Sequence, residues 1–114
     1  MKNTIVYIET EKAKYPLVFN LNVMEAIQDA YGTLDNWANL TQGDGEPKIK
    51  DLKHGILAMI NEGIDILNEE NGTNEPFLTE KQVGRIMSEV GIAAIVEKIR
   101  EITIASTKGE QKNA

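Results

Sequence analysis

The residues Thr4 to Glu9 are rich in β-branched and aromatic side chains, and a second such run, Tyr15 to Phe19, follows the polar stretch Thr10 to Lys14. Two short runs joined by polar residues predict a β-hairpin over 4–19. Pro16 brings no amide proton, so the second strand suits an edge or begins near that residue. A two-stranded hairpin is marginal alone, and must pack its apolar face on helices or pair with strands of another copy.

Past residue 20 the apolar period lengthens to that of a helix. Asn22 as N-cap, with Glu25 at the third helical position, predicts a helix over 22–31 that carries Val23, Ile27, Ala30 and Tyr31 on one face and ends at Gly32. Thr33 caps a second, over 33–41, in which Leu34, Trp37 and Leu40 share a side. Gln42 to Lys48 holds two glycines and a proline with nothing apolar to bury, the pattern of a mobile surface loop. The longest amphipathic signal follows, over 49–68, through Leu52, Ile56, Met59, Ile60, Gly63 and Leu67. Gly55 and Gly63 each cost that helix about 1 kcal/mol relative to alanine, so close approach of another backbone is the favoured reason for them and flexibility the other.

The polar stretch Asn68 to Glu75 leads to a capping box, Thr79 with Gln82, that opens a helix over 79–90 with Val83, Ile86, Met87 and Val90 inward. Gly91 separates it from a fifth, over 92–105, with Ile92, Ile95, Val96, Ile99 and Ile102 on one face. Residues 107–114 read as a flexible polar tail. The expected fold is therefore α+β and mainly α, with an N-terminal β-hairpin and about five helices in one domain over 1–106.

A chain of 114 residues, 41% of them hydrophobic, buries one modest core and has no room for separate cofactor and substrate domains. With no cysteine it has no disulfide framework, thiolate metal site or cysteine nucleophile, which fits a reducing cytoplasm. The net charge of -6 disfavours a phosphate backbone as partner. Only residues 79–114 are mildly basic, and there Lys81, Arg85, Lys98 and Arg100 alternate with Glu80, Glu89, Glu97 and Glu101, as on a solvated helical face. No apolar run reaches the roughly 18 residues of a membrane span, and Met1 to Ile5 shows no signal-peptide core, so the expectation is a cytoplasmic protein that binds neither nucleic acid nor membrane.

Candidate chemistry is sparse. His54 is the only histidine and lies off the apolar stripe, where a surface histidine is the simpler reading than a catalytic one. The stretch around Gly72 fails as a calcium loop, because setting that glycine sixth places Leu67 first and Leu78 last, where carboxylates are needed. Gly43-Asp44-Gly45 is followed by Glu46-Pro47 instead of a helix start, so it is no phosphate loop. Carboxylate pairs such as Glu62 with Asp65 and Glu69 with Glu70 sit among polar neighbours and read as solvated charge. Tyr31 and Trp37 flank the turn at Gly32 and suit the core first, a partner interface second. No catalytic residue, metal ligand or cofactor is expected.

Four segments, Tyr15 to Gln28 (YPLVFNLNVMEAIQ), Tyr31 to Trp37 (YGTLDNW), Leu57 to Gly63 (LAMINEG) and Phe77 to Arg85 (FLTEKQVGR), carry a resemblance. In their order and spacing the chain resembles the small, prophage-encoded tail assembly chaperones of long-tailed bacteriophages that infect Gram-positive bacteria. The resemblance implies a non-enzymatic protein of the host cytoplasm, made late in infection and absent from the mature virion. It implies the tape measure protein as partner, kept soluble, and tail tube protein subunits recruited around it. In that family a ribosomal frameshift often makes a longer form, and residues 106–114 would suit such a junction. An acidic chaperone could cover the apolar stripes of a helical client while its charge keeps the complex soluble. The family supplies no binding residues to transfer, so Tyr31, Trp37 and Phe77 stand as exposed-aromatic candidates for partner binding, and the hairpin edge as a candidate for self-association. A structural tail component retained in the virion, a host regulatory adaptor and, last, a small enzyme around His54 are the competing readings.

Overall fold

The computed structural model describes the backbone of residues 4–112 and the side chains of residues 4–107. Residues 1–3, part of the N-terminal stretch read for a leader, and the end of the polar tail at 113–114 lie outside the described residues. The order of elements is β1 (Val6–Glu9), β2 (Lys14–Leu17), α1 (Leu21–Tyr31), α2 (Leu34–Gln42), α3 (Ile49–Asn71), α4 (Glu80–Val90) and α5 (Ile92–Lys112). The expected hairpin followed by five helices is what forms.

The strands pair antiparallel, with Val6 opposite Leu17, Tyr7 opposite Pro16, Ile8 opposite Tyr15 and Glu9 opposite Lys14. Two backbone bonds set which groups face outward. The Thr10 N–H donates to the Ala13 carbonyl at 2.9 Å, so the even-numbered residues of β1 face β2. The Val18 N–H donates away from the hairpin, to the Met59 carbonyl of α3 at 3.3 Å, so even-numbered residues of β2 face α3. Because N–H and C=O of successive strand residues alternate sides, Pro16 falls where β2 turns its edge to α3, and its missing N–H costs no ladder bond. The same parity leaves the backbone groups of Tyr7 and Glu9 on the outer edge of β1.

The centre of the molecule is α3. Leu52, Ile56, Met59 and Ile60 are fully buried along it, and α1, α2, α4 and β2 pack around it. Its two interior glycines are both points of close approach. A methyl group at Gly55 would overlap the Trp37 indole, and one at Gly63 would come within 2.9 Å of the Pro16 ring. Bare backbone at Gly63 is what admits β2 near enough for Val18 to reach Met59. Ile95, Ile99 and Ile102 of α5 complete the core beside Ile8 and Leu17 of the hairpin.

Several boundaries differ from expectation. The cap of α1 is Asn20, not Asn22, and the helix begins at Leu21; Asn20 has extended backbone and its Oδ1 accepts from the Val23 N–H at 3.1 Å. Both asparagines have capping chemistry, and both donate their amides to the Glu62 carboxylate of α3, Asn20 at 2.7 Å and Asn22 at 2.9 Å. Helix α3 continues past the last apolar position of its stripe to Asn71 and closes on Gly72, at φ 65°. Helix α5 runs on to Lys112, through residues read as tail. Thr33 caps α2 and the Thr79–Gln82 box caps α4, as the sequence predicts.

Candidate functional site

Between Gly72 and α4 the chain returns alongside α3 without regular structure, and two asparagines hold it there. Asn61 donates through Nδ2 to the Leu78 carbonyl at 3.1 Å and accepts the Leu78 N–H at 2.8 Å. Asn68 does the same for Glu75, at 3.0 and 2.9 Å, and also accepts from the Thr73 hydroxyl at 2.9 Å. The spacing explains the repeat. Seven residues of helix rise about 10.5 Å, and three residues of extended chain cover about 10 Å, so amides two turns apart on α3 meet backbone groups three residues apart on the strap. Each carboxamide satisfies a donor and an acceptor that no sheet or helix serves.

Phe77 lies between these two clamps. Its side chain is not turned into the core, and the residue is 57% exposed. The ring separates two shallow grooves. One, of about 330 Å³, has an apolar floor of Val23, Ala26 and Ala58 and is rimmed by Glu62 and Asp65. The other, of about 530 Å³, is lined by Asp65, Asn68, Glu69, Glu75 and Pro76. Among the described residues, four carboxylates and no lysine or arginine line the two grooves together. None of the four is in a salt bridge among the described residues, where the ion pairs are Lys98 with Glu101 and Arg100 with Glu97 on α5.

The other aromatic candidates belong to the opposite end of α3. Trp37 is 3% exposed, packed against Gly55 with its Nε1–H donating to the Asp51 carbonyl at 2.9 Å. The core reading of Trp37 is what forms and its place among the exposed candidates is corrected, because the indole fills the gap that a missing side chain leaves on α3. Tyr31 is half-buried and donates its hydroxyl to the Asp51 carboxylate at 2.7 Å. Burial, then that hydrogen bond, then the negative charge of Asp51 and Glu80 push its phenol up to about 12. His54 is exposed and meets the Tyr31 ring edge-on, with centroids 6.1 Å apart. Tyr31 and Trp37 thus share one anchor, Asp51, while Phe77 stands apart from them. Asn61 and Asn68 were missed by sequence reasoning, although two asparagines seven apart on an amphipathic helix are a visible signal.

Among the described residues no three His, Cys, Asp or Glu side chains gather to hold a metal ion, and no helix is long and apolar enough to cross a membrane. No protein-family model, curated protein or solved structure matches the chain.

Proposed function

We propose that this chain is a non-enzymatic tail assembly chaperone of a long-tailed bacteriophage, which binds the tape measure protein in the host cytoplasm, recruits tail tube subunits and is left out of the virion. The observation that carries the reading is Phe77, an apolar ring held out from the surface by a clamped strap and set among carboxylates that form no salt bridge among the described residues. Such a ring gives a client an apolar anchor, and the surrounding charge keeps the complex in solution. The resemblance of the four segments quoted above names the client. Self-association through the outer edge of β1, where Tyr7 and Glu9 turn their backbone groups outward, belongs to the same reading and is measured by sedimentation of the purified chain.

The test is an affinity pull-down of the tagged chain from cells that express the neighbouring tail genes, with mass spectrometry of the captured proteins and of purified particles. Capture of the tape measure or tube protein, with the chain missing from particles, supports the proposal. Its presence in particles makes it a structural tail component, and capture of host proteins alone makes it an adaptor.

A further inference from the structure

We infer that the Phe77 face binds one kind of partner element, an amphipathic helix of another protein with lysine or arginine on the side that meets α3. The inference takes up the client-binding part of the function proposed above and rests on it.

Charge decides the sign of the partner. Glu62, Asp65, Glu69 and Glu75 rim the grooves on either side of Phe77, and among the described residues the lining contributes no positive charge. Glu62 receives both asparagine amides on Oε2, and Oε1 accepts nothing from the described residues. Asp65, Glu69 and Glu75 are exposed and have no side-chain hydrogen bond among the described residues. A partner with carboxylates here would be repelled, whereas a basic one gains attraction and speed of encounter.

Spacing decides the conformation. Glu62, Asp65 and Glu69 stand at i, i+3 and i+7 on α3, so their rises along the helix are about 4.5 and 6 Å. A second helix laid along α3 presents same-face side chains every three or four residues at that same interval, whereas an extended peptide presents them about 6.8 Å apart and drifts out of step. Shape agrees with charge. Phe77 forms a ridge with a groove on each side, and a helix surface offers grooves between its rows of side chains that accept such a ridge. The clamps at Asn61 and Asn68 hold the ridge before the partner arrives, so little ordering is left for binding to do.

The test uses the full chain and two synthetic helix-forming peptides with the same leucine stripe, one with lysine at the i, i+3 and i+7 positions and one with glutamate there. Binding is read by fluorescence anisotropy of the labelled peptide, with Trp37 emission as a check that each variant is folded. The basic peptide is expected to bind and to weaken by about tenfold or more between roughly 0.05 and 0.5 M salt, since screening acts on exposed charges. Asp65→Lys with Glu69→Lys, and separately Phe77→Ala, should each weaken it by about tenfold. Equal binding of the two peptides, or affinity unmoved by both variants, overturns the inference. The pull-down separates its failure from that of the function. A tape measure protein captured equally by wild type and by the doubly substituted chain sinks the inference and spares the chaperone reading. Selective, salt-sensitive peptide binding by a chain that captures no tail protein supports the docking face and sinks that reading.

Discussion

The two ends of α3 each meet an aromatic residue, with opposite results. At the N-terminal end Trp37 lies over Gly55, buried, with its one polar atom satisfied by the Asp51 carbonyl. At the other end Phe77 stands on a strap that α3 grips through Asn61 and Asn68, and the ring stays in water. Glycine makes a socket for a ring, and asparagine makes a rail for a backbone. What α3 places opposite an aromatic therefore decides whether that ring serves stability or remains free to meet a partner.

The comparison breaks first at Trp37. Replacing it with alanine empties a packed socket and should cost about 3–5 kcal/mol in urea unfolding. Gly55→Ala forces overlap with the same ring and should cost about 1–3 kcal/mol, with the gain of about 1 kcal/mol in helix propensity already offset. If either is neutral, the socket is not a socket.

On the strap, Asn61→Ala leaves the N–H and C=O of Leu78 without their partner. It should cost about 1 kcal/mol, with faster hydrogen exchange at Leu78 than at the amides of the α3 interior. Tyr31 sharpens the other end through pH. Its phenol is held neutral up to about 12 in the folded chain, above the ordinary value of 10.0, so the unfolded chain loses that proton first. The stabilisation is therefore complete below pH 10 and is lost as the pH rises toward about 12. Tyr31→Phe should flatten the unfolding free energy across that window in an alkaline titration series. Phe77→Ala should change stability by less than about 0.5 kcal/mol, as exposed positions do. A loss as large as that of Trp37→Ala would make Phe77 a core residue and erase the contrast.

Much of this was legible in the chain. The period change near residue 20 marks the passage from β2 to α1, and the Thr33 cap and the Thr79–Gln82 box rest on side chains that act on their own backbone within three residues; each forms as read. The cap of α1 was misplaced because Asn20 and Asn22 have the same capping chemistry two residues apart, and the Glu25 position favoured the second of them. The extent of α3 was underestimated because its last turn is polar, and apolar periodicity says nothing about a helix that continues without a core to face.

The sequence by itself determined the elements, their order and the buried stripe of α3, since these follow from local propensity, capping and periodicity. Only the tertiary structure decided that Trp37 fills the gap at Gly55, that Phe77 stays out, and that Glu75 of the strap joins the three carboxylates of α3 on one face. Those outcomes depend on which residues of α3 lie opposite each segment after the chain has folded back on itself, and no local pattern carries that information.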